Sequence, residues 1–527
     1  MPALHARRCR FLRLGRCAAS GITLVLLLQL AALSQALQAQ PGPVAFSPDA
    51  SSEPGTEFAR SVALAGDIAA FGAAFDLPGA ADAGEVVLYE LIEDQWTLVE
   101  RPLVADRDAG DLFGAAVSLG ALFGDDDDAQ PSLLVGAPGR LGGGAVYHYL
   151  RDGPVWVPSR TLTPSRTDAA GFGAAVATEG VFAVVGAPQE NSGAPESGAV
   201  YAYLYNPTPS EGDARFEFIG RLVTPGATPE RRFGAAVALA GERFVVGVPG
   251  ERVDGVPTGA VYVYRFDFDD SEQFVPVLEA RLVAPGLALG FGQAVAIDGD
   301  RIVVGAPGGD DAVPGAAWLY EFDGTQWTAE QRLVVPDLPF EADYGQTVAL
   351  DRDWASVAAP GGDAGGRSAG AVFLFQKRGA VWALADTLLV SSAGDGARLG
   401  TSLAMDGGRV LTGAPFADGG RGKAYLFRTS TPVATEPPGV PAAFSLSAPA
   451  PNPTRTHTTV AVDVVAPQHV RVALYDALGR EVAVLHDGLV SGSASLRVGT
   501  DGLAAGVYAI RATGADGALV HRFTVVR

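Results

Sequence analysis

The sequence repeats itself seven times between residues 58 and 428, and this periodicity limits the possible folds more than any other feature. Each unit opens on an aromatic residue or leucine, followed in most copies by glycine, and successive openings lie 53 to 61 residues apart. The openings are Phe58, Phe113, Phe172, Phe233, Phe291, Tyr344 and Leu399. Six units carry a Gly-Ala-Pro-like triplet 14 residues later, and in the second unit this distance is 23. Such a chain is expected to stack similar units on one another.

Each unit is predicted to contain four short β-strands. In the fifth unit, residues 293–297 and 301–304 are apolar stretches joined by Asp298-Gly299, a dipeptide typical of a tight hairpin turn. Two further strand-like stretches follow within residues 316–334. A four-stranded sheet of this kind buries its faces only by stacking on similar sheets. The pattern therefore predicts an all-β fold.

Seven stacked sheets predict a seven-bladed β-propeller over residues 40–428. The seventh unit has no room for a fourth strand before a Pro-rich linker begins at residue 429. The residues around Val44–Phe46, ahead of the first unit, resemble those that precede the fifth unit. We therefore predict that they supply the outer strand of the last sheet, a clasp that removes an exposed edge.

The aromatic-Gly and Gly-Ala-Pro spacing resembles the FG-GAP repeat family, the propeller type also found in integrin α subunits and many bacterial surface proteins. This resemblance implies extracellular binding or adhesion through loops on one face, often with calcium in an acidic loop between the first and second strands. In six units a tight turn replaces that loop. The second unit alone has an insertion, which contains Asp125, Asp126, Asp127 and Asp128. A calcium site and a solvated acidic turn are both open there.

The loops that follow the Gly-Ala-Pro triplets are the longer ones, and they are predicted to emerge on one face, here called the rim. If the protein binds a ligand, the rim is the expected place, and solvated turns are the alternative. The acidic residues of the rim are Glu190, Glu196, Glu251, Asp254, Asp310, Asp311 and Asp363.

Residues 1–39 are predicted to be a secretory signal peptide. Five arginines precede an apolar stretch at residues 21–32 that is short for a membrane span, and small residues follow it. Both cysteines, Cys9 and Cys17, lie in this segment, so the exported chain would have no disulfide and no cysteine metal ligand. No later stretch is apolar for 18 residues, so we expect no transmembrane segment in the mature chain.

A Pro-rich linker at residues 429–441 precedes a different β pattern over residues 442–527, which predicts a small immunoglobulin-like β-sandwich. Its motifs are Phe444-Ser445-Leu446, PAPNP at 449–453, VALYDALGREV at 472–482, LAAGVY at 503–508 and FTVVR at 523–527. These motifs resemble the type A C-terminal sorting domain of the type IX secretion system. The resemblance implies the type IX secretion machinery as a partner, with release or display on the outer cell surface as the result.

The chain has a net charge of −21, which disfavours nucleic acid as a partner. The predicted propeller contains a single histidine, His148, so imidazole metal sites and Ser-His catalysis are nearly excluded. We therefore expect a non-catalytic protein that recognises an extracellular glycan or protein, with calcium as the one candidate cofactor. Two alternatives stay open, namely a secreted carbohydrate-active enzyme that uses rim carboxylates and a structural spacer without a ligand.

Overall fold

A computed structural model gives an all-β chain that divides into two compact units, Met1–Thr429 and Ser430–Arg527. The structure describes residues 43–48, 55–74, 83–102, 108–123, 129–166, 170–206, 215–224, 226, 228–269, 273–308, 314–335, 338, 342–363, 367–429, 444–447, 449, 454, 456–464, 467–475, 481–500, 502–503, 506–514 and 517–525.

The first unit is built of four-stranded antiparallel sheets, consistent with a propeller, and they are numbered here in chain order. Sheet 1 has β2 (Ser61–Ala65), β3 (Ile68–Ala73), β4 (Glu85–Ile92) and β5 (Gln95–Glu100). Sheet 2 has β6 (Ala116–Phe123), β7 (Ala129–Ala137), β8 (Ala145–Asp152) and β9 (Val155–Leu162). Sheet 3 has β10 (Ala175–Glu179), β11 (Phe182–Ala187), β12 (Ala199–Asn206) and β13 (Arg215–Leu222). Sheet 4 has β14 (Ala236–Ala240), β15 (Arg243–Val248), β16 (Ala260–Phe268) and β17 (Phe274–Leu282).

The remaining sheets follow the same plan. Sheet 5 has β18 (Ala294–Asp298), β19 (Arg301–Gly308), β20 (Pro314–Phe322) and β21 (Trp327–Leu333). Sheet 6 has β22 (Val348–Asp351), β23 (Trp354–Ala359), β24 (Ala371–Arg378) and β25 (Val381–Leu388). Sheet 7 has β26 (Ser402–Asp406), β27 (Arg409–Ala414), β28 (Lys423–Arg428) and the N-terminal β1 (Val44–Phe46). Among the described residues, the helical segments include a 3-10 turn at Ser391–Ala393 and a four-residue helix at Ala417–Gly420.

The hairpins between first and second strands are as tight as the sequence predicts. In sheet 5, Asp298 pairs with Arg301, so the two turn residues are Gly299 and Asp300 rather than Asp298 and Gly299. Gly299 has a φ of +55°, a conformation that glycine adopts without a steric penalty. The predicted turn is therefore present and lies one residue further along the chain.

The clasp is confirmed. Strand β1 pairs antiparallel with β28, with Val44 opposite Leu426 and Phe46 opposite Ala424. Phe46 is 3% exposed, and its ring lies 4.9 Å from that of Phe71 in sheet 1. The N-terminal strand thus completes sheet 7 and also packs against sheet 1.

The glycine of a triplet lets the backbones of two neighbouring sheets come close together. A Cβ on Gly72 would lie 2.1 Å from the carbonyl oxygen of Gly114 in the next sheet, and one on Gly186 would lie 2.1 Å from that of Gly234. Both distances are far below a normal carbon–oxygen contact, so no larger residue fits without movement of the backbone. This close approach explains the spacing of the two motifs, because the aromatic-Gly turn of one sheet lies against the triplet of the preceding sheet.

Ion pairs also join neighbouring sheets at the end that carries the first hairpin turns. Arg243 at the start of β15 pairs with Asp300 in the turn of sheet 5 at 2.7 Å. Arg301, one sheet further on, pairs with Asp353 in the turn of sheet 6 at 3.0 Å. The repeat therefore places the same ion pair at successive seams, a seam being the contact between two neighbouring sheets.

The second unit contains two antiparallel sheets with one shared core. One sheet is β29 (Phe444–Leu446), β30 (His457–Val464) and β33 (Ser493–Gly499), and the other is β32 (Glu481–Val490), β31 (Gln468–Tyr475), β34 (Gly506–Gly514) and β35 (Gly517–Val525). Leu446 and Val462 of the first sheet belong to the same buried cluster as Val472 and Ile510 of the second.

Candidate functional site

The rim loops and the aromatic-Gly turns lie at the same end of the sheets, because sheets 1 to 6 run through their four antiparallel strands in chain order and sheet 7 does so for its first three. The residue before the repeat aromatic has a left-handed backbone in all seven units, although glycine occupies this position only twice. These residues are Glu57, Leu112, Gly171, Arg232, Gly290, Asp343 and Arg398, with φ values from +50° to +73°. Left-handed residues other than glycine persist only where the surrounding structure holds them. The backbone of the rim is therefore held in a defined conformation.

Glu190 does not lie on the exposed surface of the rim, where the sequence led us to expect it. It is 0% exposed, and its carboxylate accepts hydrogen bonds from the Tyr201 hydroxyl at 2.8 Å and from Arg221 Nε at 3.0 Å. The Ser192 hydroxyl donates a third at 2.9 Å. Burial, followed by the nearby Glu190 carboxylate, raises the pKa of Tyr201 to about 12. The cluster ties the rim loop of sheet 3 to its third and fourth strands.

Glu251 repeats this arrangement in sheet 4. It is 1% exposed and accepts hydrogen bonds from the Tyr262 hydroxyl at 3.0 Å and from Arg281 Nε at 2.8 Å. Arg231 lies 3.2 Å from the same carboxylate. A buried carboxylate needs such partners, because desolvation without them is costly. Glu190 and Glu251 therefore stabilise rim loops and are not presented to a ligand.

Three other predicted residues are exposed, and each lies on a different sheet. Glu196 is 3.6 Å from Arg232, with both side chains about half exposed. Asp254 lies in a turn closed by hydrogen bonds between Val253 and Val256. Asp363 accepts a hydrogen bond from the backbone amide of Ser368 at 2.5 Å. These three carboxylates are at least partly exposed, at separate points around the rim.

The remaining acidic candidates lie outside the described residues, namely Asp310 and Asp311 of the rim and Asp125, Asp126, Asp127 and Asp128 of the calcium prediction. Within the part of the chain that the structure describes, no group of three or more His, Asp, Glu or Cys side chains could hold a metal ion. The prediction of calcium binding thus stays untested.

A central cavity of about 710 Å³ is lined by the first strands of all seven sheets. Its walls are mostly valine, alanine and leucine, including Val62, Val176, Val295 and Leu403. Polar side chains also line it, namely Ser118, Thr178, Glu179, Glu242 and Asp406. The cavity is thus bounded by both apolar and polar groups.

Sequence reasoning missed the two buried glutamate clusters, although a signal for them exists. Tyrosine follows the glutamate by 11 residues in both units, and arginine follows it by 31 residues in one unit and 30 in the other. Polar residues repeated in phase with the strands can mark a shared structural contact. Composition alone gives no such information.

Two comparisons with protein families bear on the chain. The FG-GAP repeat model matches residues 156–203, 277–320 and 327–375. The model of the secretion system C-terminal sorting domain matches residues 450–526. The chain contains FG-GAP repeats and a type IX sorting domain. Both resemblances seen in the sequence are thereby confirmed.

The matches also agree with the strand order. Each FG-GAP match begins in the fourth strand of one sheet and ends in the third strand of the next. The sorting domain implies involvement of the type IX secretion machinery and export to the cell surface or secretion. Among the described residues there is no helix with the length and apolar character of a membrane span. No curated protein matches the chain.

Proposed function

We propose that the seven sheets close into a seven-bladed β-propeller whose rim recognises an extracellular glycan or protein without catalysis. The C-terminal unit, an immunoglobulin-like sandwich in this proposal, directs the protein to the type IX secretion machinery. The mature protein, freed of its signal peptide, acts as a binding or adhesion protein on the cell surface or after release.

Closure of the ring is supported by contacts between sheets 7 and 1. The Phe58 amide donates to the carbonyl of Arg421 at 3.1 Å, and the Ser402 hydroxyl donates to the carbonyl of Ala59 at 2.7 Å. Arg409 pairs with Asp67 at 3.2 Å, which is the same contact that Arg243 makes with Asp300. A ring without free edges is also protected against edge-to-edge association.

The observation that carries the binding function is the fixation of rim loops by buried ion pairs. The carboxylates of Glu190 and Glu251 are almost completely buried, yet both belong to loops that reach the surface. A loop held in one conformation loses less entropy when it binds a partner. The same burial counts against a role for these two residues as the acid and base of a glycosidase, since neither reaches a polysaccharide.

The proposal is tested by applying the purified protein to glycan and protein arrays with and without millimolar calcium. We expect a saturable ligand whose binding weakens in the rim variants Glu196→Gln, Asp254→Asn and Asp363→Asn. Asp94→Asn is the matched control, because Asp94 lies in the turn between β4 and β5 at the opposite end of sheet 1. Absence of any ligand would favour the spacer, and turnover of a bound polysaccharide would favour the enzyme.

A further inference from the structure

A groove of about 370 Å³ lies at the outer seam between sheets 2 and 3. One wall comes from β9 and the residues after it, including Arg160, Thr163 and Ser165. The other wall comes from β12 and β13, including Tyr203 and Phe218. The groove thus combines a guanidinium group, several hydroxyl groups and aromatic rings.

Tyr203 distinguishes this seam from two others. In sheets 1 and 5 the equivalent tyrosines close the seam, because Tyr89 donates to the carbonyl of Ser47 at 3.2 Å and Tyr320 donates to that of Val283 at 2.7 Å. Both acceptors directly follow the outer strand of the preceding sheet. Thr163 is the corresponding residue for Tyr203, but no hydrogen bond joins the two.

The Tyr203 hydroxyl is therefore open to a hydrogen bond with a ligand. The residue is 4% exposed and lines the groove, and its hydroxyl makes no hydrogen bond with any residue that the structure describes. Burial raises the pKa of Tyr203, so the hydroxyl keeps its proton and can donate it to a ligand. The hydroxyl is open to the groove, so it can bind water there and exchange that water for an acceptor of the ligand.

Arg160 supplies a positive charge at the same place. It is exposed, and it takes part in no ion pair within the described ranges, although the chain carries a net charge of −21. Its guanidinium group favours a carboxylate, which it can bind through two parallel hydrogen bonds. Arg215 and Glu217 alternate along β13 with Phe216 and Phe218, pair with each other at 3.6 Å and are not part of the proposed site.

Phe218 gives the groove an aromatic wall. Its side chain is 50% exposed, and its ring lies 5.9 Å from that of Tyr203 in an edge-to-face arrangement. Phe216 forms a buried floor and packs on His148 at 4.8 Å. Half of a large aromatic side chain is thus left open above a rigid base, and an apolar face of a ligand can cover it.

We propose that this groove binds a carboxylate-bearing sugar unit of an acidic polysaccharide. Arg160 binds the carboxylate, and the Tyr203 hydroxyl donates to the sugar. The exposed face of Phe218 packs against the sugar ring. A bare inorganic anion would use Arg160 but leave Phe218 without a role.

The test is a calorimetric titration of the purified full chain with trigalacturonate, compared with maltotriose, citrate and triglutamate. We expect saturable binding of trigalacturonate alone, with Kd at least tenfold higher in Arg160→Gln and about tenfold higher in Tyr203→Phe and Phe218→Ala. Tyr264→Phe and Arg378→Gln are matched controls with unchanged Kd. Tyr264 occupies the position of Tyr203 in the next sheet, and Arg378 is an exposed arginine of sheet 6.

Several outcomes would overturn the proposal. Equal affinity for citrate would reduce the groove to an anion site, and preference for triglutamate would assign it to acidic peptides. Equal affinity for maltotriose would show that the carboxylate does not contribute to binding. Absence of binding at millimolar trigalacturonate, or equal Kd values in Arg160→Gln and the parent, would reject the site. Melting curves of each variant identify any loss of binding that is due to unfolding.

Discussion

Gly413 of sheet 7 lies against the backbone of Ala59 ahead of sheet 1, so closely that a Cβ on Gly413 would come within 2.0 Å of the Ala59 carbonyl oxygen. The same contact joins Gly136 to Gly173 and Gly247 to Gly292 at seams within the array. The seam between the last and first sheets is therefore built like the others. The triplet glycine is required because the facing atom is backbone and cannot turn aside.

Replacement of Gly413 by alanine is expected to destabilise the protein by about 3 kcal/mol or more, since the seam must open to admit the methyl group. Gly220→Ala is the control, because a Cβ there would meet only the Pro276 ring at 3.2 Å. Urea denaturation of both variants measures the difference. A Gly413→Ala protein as stable as the parent would show that sheets 7 and 1 do not pack in this way.

The clasp strand allows a second test. Phe46→Ala is expected to lower the free energy of unfolding by about 3 to 5 kcal/mol, because its buried ring contacts Phe71 at 4.9 Å and Tyr89 at 5.1 Å. Val44→Ala changes the same strand at a residue that is 44% exposed, and we expect a small effect. Thermal denaturation compares the two. Similar melting temperatures for Phe46→Ala and Val44→Ala would contradict a packed clasp.

The repeat and its periodicity were enough to predict the strands, because alternation and turn residues are local properties of the sequence. The clasp was also predictable, since the last unit lacks a strand that the N-terminal segment resembles. The burial of Glu190 was not, because Tyr201 and Arg221 meet it only when the third and fourth strands pair with the second. For the same reason, the sequence alone does not show that Tyr203 lacks a hydrogen-bond acceptor like the Ser47 carbonyl that Tyr89 has.

Glu190→Gln is expected to destabilise the protein by about 2 to 4 kcal/mol, because it removes the charge that the half-buried Arg221 faces. Glu196→Gln is the matched control in the same loop, and its exposed pair with Arg232 should contribute less than about 1 kcal/mol. Hydrogen exchange of residues 189–198 provides a local measurement. We expect faster exchange in Glu190→Gln alone, and equal protection in both variants would argue against fixation of the loop.

His148 makes stability depend on pH in a defined window. Burial lowers its pKa from 6.5 to about 4, and its Nε2 lies 3.0 Å from the Ser132 hydroxyl. The folded state therefore binds fewer protons than the unfolded state between these pH values, so this contribution is complete above pH 6.5 and declines as pH falls toward 4. At pH 5 the loss relative to pH 7 should be about 2 kcal/mol.

His148→Leu isolates this contribution, because leucine occupies the equivalent position in four other sheets, at Leu88, Leu319, Leu374 and Leu426. Other groups titrate alike in both proteins, and the unpaired Ser132 hydroxyl adds a cost that does not change with pH. Urea denaturation at pH 7 and pH 5 should therefore show a stability loss that is about 2 kcal/mol smaller in His148→Leu than in the parent. Equal losses in the two proteins would mean that His148 can be protonated in the folded state without penalty, and hence that water reaches it between sheets 2 and 3.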